Sequence, residues 1–253
     1  MLSSVLWVLG PILESLIVIR AIRGKFLKEY KLFYFYIVWV LVRDLSLFAV
    51  YHTWSSGYPY VYWSSQFFSV LVGCGVVWEI YRVALANFPG AARMARSVLL
   101  FLFVITMSRI VVYAANSAKW IPGRTTLETE REFRIVQSVV LVGLIALLAY
   151  YAIPTGRNLK GMILGYGVFL ATSLVQLTLR DFLGDTFQYW WQYIQPSTYI
   201  LVLLIWSRTL WTFAPVQDPG PESRIEVDYQ SLAYETKKQL RAAGSYIEKA
   251  IRS

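Results

Sequence analysis

The chain contains one cysteine and one histidine in 253 residues. A lone Cys74 excludes a disulfide within the chain. It sits in an apolar run, where a cysteine behaves as a small buried hydrophobe. A lone His52 excludes a bis-histidine haem and a histidine-rich metal site, so no cofactor and no metal ligand set is expected. The HExxH, GxSxG and P-loop patterns are missing, and no catalytic residue is assigned. Charge is also scarce, at 15% of residues, where a soluble domain carries about a quarter. What is abundant is apolar: 57% of residues are hydrophobic and 17% aromatic. A water-soluble fold of this size cannot bury that much apolar side chain, and the remainder would form large sticky patches.

The apolar residues come in runs long enough to cross a bilayer, which takes about 20 residues as a helix. The expected fold is all-α, a polytopic bundle of transmembrane helices with seven spans at 3–20, 32–52, 60–82, 97–116, 132–153, 161–180 and 189–211. Only helices satisfy backbone groups within such segments. The amino terminus has no basic residue ahead of its apolar stretch and reads as a retained first span rather than a signal peptide.

Arg20, Arg23, Lys25, Lys28 and Lys31 follow span one. Arg82, Arg93 and Arg96 follow span three, and Arg157 and Lys160 follow span five. The tail adds Arg208, Arg224, Lys237, Lys238, Arg241, Lys249 and Arg252, all on the same side. The other side has Lys119, Arg124, Arg131, Arg134 and Arg180, offset by Glu128, Glu130, Glu132, Asp181 and Asp185. The positive-inside rule makes the first side cytoplasmic, with the amino terminus outside and the carboxyl terminus inside. The net charge of +9 therefore follows membrane topology, and a nucleic-acid partner is rejected. Tyr58, Tyr60, Tyr62, Trp63, Tyr189, Trp190 and Trp191 gather at the outer ends of spans three and seven, with Trp206 and Trp211 at an inner end. Such belts anchor helices at headgroup level.

Three regions follow: a seven-helix transmembrane domain over 1–212, a Pro/Gly-rich linker over 213–228, and a cytoplasmic amphipathic helix over 229–253. In that helix Tyr229, Ala233, Thr236, Leu240, Ala243, Ile247 and Ala250 share one stripe. The stripe suits either self-association or a cytoplasmic partner, or the anionic inner leaflet. Gly161 and Gly165 form a GxxxG pair that lets helix backbones approach closely. Pro11 and Pro196 each remove a helical hydrogen bond. The outer connection at roughly 117–131 reads as the one sizeable outer loop.

Ionisable residues in hydrocarbon are costly and are functional candidates by default. An outer set comprises Arg43, Asp44, Arg109, Gln137 and Gln176, either lining a ligand cavity or forming an Asp44–Arg109 ion pair with Arg43 snorkelling outward. An inner set comprises the carboxylates Glu14 and Glu79, expected near Arg20 or Arg82. Seven spans invite comparison with rhodopsins, but no lysine lies mid-span to hold retinal. Gln195-Pro196-Ser197-Thr198-Tyr199 looks like the Asn-Pro-x-x-Tyr motif of G-protein-coupled receptors, but lies at the opposite end of its span.

The stretches VLVRDLSLFAVYH at 40–52 and GCGVVWEIYR at 73–82 resemble those of a family of uncharacterised bacterial membrane proteins. The resemblance implies a seven-span protein of the bacterial inner (plasma) membrane, with no implied activity or cofactor. The plan of spans one to three, a linker span and spans five to seven is similar in topology to the small sugar transporters and PQ-loop proteins, without their Pro-Gln signature. The expected function is a receptor-like or sensory module that binds a small or lipidic ligand from the outer side. A small-solute transporter and a membrane-embedded enzyme are the alternatives.

Overall fold

The computed structural model describes the backbone of residues 2–24, 26–116, 122–214 and 224–252, and the side chains of 8–24, 27–112, 129–179, 193–214, 225, 227–239 and 241. Among these residues every regular element is helical. The helices are α1 Leu2–Arg23, α2 Phe26–Glu29, α3 Lys31–Thr53, α4 Tyr58–Ala84, α5 Pro89–Asn116, α6 Pro122–Tyr150, α7 Arg157–Thr209 and α8 Arg224–Arg252, with a short 3-10 turn at Ser55–Gly57. Five segments are long and apolar enough to cross a membrane: Lys31–Thr53, Ser55–Ala84, Pro89–Val112, Thr129–Tyr150 and Arg157–Leu179. The expected linker is shorter than read, since α8 already begins at Arg224. The outer connection is helical from Pro122 onward; residues 117–121 lie outside the described residues.

Local chemistry sets the helix ends. Pro59 in the first turn of α4 and the prolines opening α5 and α6 have the fixed φ of a helix start and lack an N–H that would be unpaired there anyway. At the end of α6, Ala152 takes a left-handed φ of 49°. The Ile153 amide then donates to the Leu148 carbonyl at 3.0 Å and the Ala152 amide to Ala149 at 3.2 Å. That is a Schellman closure, and Pro154 follows it. The start of α3 has no cap from its own flanking residue. Glu79 of α4 supplies one, its Oε2 accepting the Phe33 amide at 2.8 Å.

A straight helix of 53 residues would be about 80 Å long, yet α7 doubles back. Asn158 at its start donates to the Thr209 carbonyl at its end, 2.7 Å away. Gln176 likewise meets Gln195 at 3.0 Å, so the reversal falls between these two and α7 consists of two antiparallel arms. A Cβ on Gly161 would strike Thr209, and one on Gly165 would strike Trp206. The GxxxG pair is therefore where the second arm packs on the first. Buried Asn158 also accepts the Ala214 amide, and Arg157 bonds Thr212.

Six helical rods form a closed ring. α1 packs on α3, α3 on α4, α4 on α6, α6 on α7, and α7 on α1. Gln137 of α6 meets Tyr166 of the first α7 arm, and Glu14 of α1 meets Tyr199 of the second. The pairs Arg43–Gln66, Trp39–Ser69 and Phe33–Glu79 make α3 and α4 antiparallel. The pairs Gln66–Glu130, Val70–Gln137 and Val140–Tyr81 make α4 and α6 parallel. Glu14–Tyr199 and Arg20–Trp211 run parallel in the same way between α1 and the second α7 arm. Two triplets, α1–α3–α4 and α6 with the two arms of α7, thus meet head to tail around the ring.

A seventh rod, α5, stands outside the ring. Only 6% of its apolar window is buried, against 56% for α4. Its outward residues include Val98, Phe101, Val104 and Val111. A surface this apolar needs hydrocarbon around it. α8 docks on the foot of α5, the Tyr229 ring lying against Gly90, and Tyr151 donates to Asp228 at 3.2 Å. Beyond Tyr229, residues 230–239 are exposed, so the Ala233 and Thr236 positions of the expected stripe face away from the bundle.

Candidate functional site

Inside the ring the two ends differ. At the end where α2, the α6–α7 connection and the start of α8 lie, aromatic side chains close the centre. Phe33 meets Trp206 edge-on at 4.9 Å, and Tyr36 meets Tyr166 at 6.4 Å. At the other end, where α7 reverses, a cavity of about 250 Å³ lies among the helices. Its wall takes residues from α1, α3, α4, α6 and both arms of α7, and none from α5.

The cavity wall is charged. Arg43 reaches Asp44 at 2.9 Å and also donates to Gln66 Oε1 at 3.0 Å. Gln66 passes the chain on to Glu130 Oε1 at 2.9 Å. Glu130 in turn stands 3.5 Å from Arg134. Arg134 is only 2% exposed. It donates to Gln137 Oε1 at 3.3 Å and stacks over Phe169 at 4.6 Å. Its Nε has no partner among the described residues. Gln137 also bonds Cys74 Sγ at 3.1 Å, and Tyr166 donates to the Gly73 carbonyl at 2.9 Å. A Cβ on Gly73 would fall 2.7 Å from that hydroxyl, so the bare glycine is what lets Tyr166 reach the backbone.

Glu14 extends the cluster from α1. It is fully buried. Its Oε1 accepts from Tyr199 at 2.7 Å, while its Oε2 has no partner among the described residues. It lies within electrostatic range of both Asp44 and Arg43. A buried guanidinium N–H and a buried carboxylate oxygen without partners are each costly. They stand on opposite triplets of the ring.

The expected site residues are thus partly gathered and partly dispersed. Arg43, Asp44 and Gln176 line the cavity, and Gln137 stands behind it in the same network. Arg109 does not join them. It pairs with Glu132 at 3.2 Å on the outside of the bundle, its side chain 68% exposed. Depth along a helix says nothing about direction around it, and residue 109 points away from the ring. Asp44 therefore has Arg43 as its partner, and Arg43 turns inward rather than snorkelling. Glu79 pairs with Arg82 at 3.1 Å. Glu14 does not lie near Arg20, which bonds the Trp211 carbonyl; it belongs with the Arg43 group.

Glu130 and Arg134, which the sequence places among the outer-side charges, are buried. A signal was present: Glu130, Arg134 and Gln137 are spaced i, i+4 and i+7, one face of a helix. Pro196 and Tyr199, set aside with the receptor-like motif, form part of the cavity wall. Tyr189, Trp190 and Trp191, with Arg180, Asp181 and Asp185, lie outside the described side chains. No metal-binding group of histidine, cysteine and carboxylate residues occurs among the described residues. No protein-family model matches the chain, and no curated protein or solved structure shows significant similarity to it.

Proposed function

We propose that this chain is a seven-span protein of the bacterial inner membrane, with its amino terminus outside, that binds a ligand in the ring cavity and carries it across the bilayer. The observation that supports binding is the cavity itself: two guanidinium groups and two carboxylates line it, among glutamine, serine, threonine and tyrosine side chains. Ionisable groups inside a membrane are functional candidates by default. The carrier reading draws on the arrangement of helices. Parallel triplets joined by a peripheral linker helix, with the site on the axis between them, are a transporter plan.

In this reading the positive-inside rule puts the cavity mouth outside, and the aromatic closure at Tyr36, Tyr166, Phe33 and Trp206 is the inner gate. A second reading, a receptor-like sensor, is favoured by one contact: Tyr229 and Asp228 fasten the tail helix to the bundle, a route for a ligand-driven shift to a cytoplasmic partner. Deleting residues 229–253 separates the two, since transport survives the deletion and signalling does not.

The binding cavity is tested by water access. In a Cys74→Ser background, Thr172→Cys on the cavity wall should react with a membrane-impermeant thiol reagent added from outside. Val140→Cys, in the apolar centre, should not. Equal protection at both positions would remove the binding cavity and with it both readings.

A further inference from the structure

A second hollow runs along the outer surface of α1 and α3. It is a groove of about 740 Å³, walled by apolar side chains such as Ile12, Leu16, Leu41, Leu45 and Phe48. Asp44 lines this groove and also lines the charged cavity. The two spaces therefore share a wall one side chain thick. On the α1 side that wall is thin as well. Gly10 is buried and lines the cavity, yet a Cβ placed on it would meet no described atom within 4 Å. Its neighbour Pro11 lines the groove and removes a hydrogen bond from α1 at the same level. The polar site thus adjoins a lipid-facing apolar channel at Gly10 and Asp44.

Resting on the binding role of the cavity, we infer that the ligand is an amphiphile, a zwitterionic phospholipid of the aminophosphate class. Its head group occupies the cavity and its acyl chains leave between α1 and α3 into the groove. The cavity's charges argue for that head. They nearly balance, Arg43 and Arg134 against Asp44 and Glu130, with Glu14 beside them, so a simple anion gains little net attraction. Two atoms without partners among the described residues suit both kinds of bond: the Arg134 N–H on the cavity wall wants an acceptor, and Glu14, joined to the wall through Tyr199, has an oxygen that wants a donor. A phosphate accepts from guanidinium, and an ammonium donates to carboxylate. The volumes agree, because the cavity suits a head group and the larger, apolar groove suits chains. A wholly water-soluble solute would leave the groove without a role.

The test uses the full chain reconstituted in nanodiscs of equal parts phosphatidylethanolamine and phosphatidylglycerol. Lipid that stays bound after detergent extraction is counted by native mass spectrometry. Retained phosphatidylethanolamine should exceed phosphatidylglycerol by about tenfold, the scale of one well-placed charged hydrogen bond. Gly10→Leu, which fills the gap beside Asp44, should lower retention at least several-fold. Leu45→Trp should do the same from the groove side, and Leu45 is exposed, so the fold does not depend on it. Gly10→Ala should leave retention unchanged.

Equal retention of both lipids, or retention untouched by Gly10→Leu and Leu45→Trp, would overturn the proposal. So would release only by Arg20→Gln with Arg23→Gln, because that marks ordinary headgroup anchoring at the far end of the groove. Thiol labelling at Thr172→Cys reports on the cavity independently. Labelled Thr172→Cys with no lipid selectivity removes the lipid and leaves the binding site; unlabelled Thr172→Cys removes the site itself.

Discussion

The two ends of the ring hold one fully buried carboxylate each, and the two are bonded in opposite ways. Glu79 has both oxygens occupied, one by the Phe33 amide at the start of α3 and one by Arg82. Glu14 has one oxygen on Tyr199 and one without a partner among the described residues. The glycines tell the same story. A Cβ on Gly165 would strike the Trp206 indole, whereas one on Gly10 would meet no described atom within 4 Å. Partnerless polar atoms are not confined to the cavity end, since Trp206 Nε1 and Ser207 Oγ also have no partner among the described residues; the contrast lies in the two carboxylates and the two glycines. Neither burial nor a missing hydrogen bond alone marks a functional residue in this bundle; a missing bond beside a cavity is the more informative of the two.

The largest effect that sharpens this contrast is expected at Glu79. Glu79→Ala removes the cap of α3 and leaves Arg82 only the Glu29 carbonyl as a partner, at a cost of about 2–4 kcal/mol, read as a lowered unfolding temperature in detergent. Glu14→Gln keeps the acceptor for Tyr199 and discharges an incompletely solvated group, so stability should change by less than about 1 kcal/mol. Ligand retention should nevertheless fall. Equal destabilisation by the two substitutions would erase the difference between the ends.

The glycines come next. Gly165→Ala should destabilise by about 1–3 kcal/mol through overpacking, while Gly10→Ala should stay within about 0.5 kcal/mol. A Gly10→Ala variant as unstable as Gly165→Ala would mean the cavity end is as tightly packed as the closed one. Smallest is Ala152→Gly at the close of α6. A left-handed alanine is strained by about 1 kcal/mol relative to glycine, so this variant should be slightly more stable in the same measurement.

Hydropathy made much of the architecture legible. The segments at 32–52, 60–82 and 97–116 fall within α3, α4 and α5, because lipid-facing apolar runs are read directly from sequence. The segments at 161–180 and 189–211 are the two arms of α7, read as separate spans because hydropathy registers solvation and not backbone hydrogen bonding. It could not show that helical backbone continues between them.

The site was half legible. Arg43, Asp44 and Gln176 stood out as polar residues inside apolar runs. Arg109 stood out for the same reason and was misplaced, because facing is set by packing partners and not by depth. Glu130 and Arg134 were missed because charge at a span's edge reads as loop, although their four-residue spacing already put them on one helix face. The closed ring had no signal in any single segment, since it depends on which helix meets which.

A ligand bridging the two triplets across the cavity is tested most directly by a density map of the protein in a phospholipid bilayer. Non-protein density should lie between Arg134 of one triplet and Asp44 of the other, with a tail passing Gly10 into the α1–α3 groove. A collapsed cavity, with Arg134 Nε turned onto a protein partner and no density between the triplets, would contradict it.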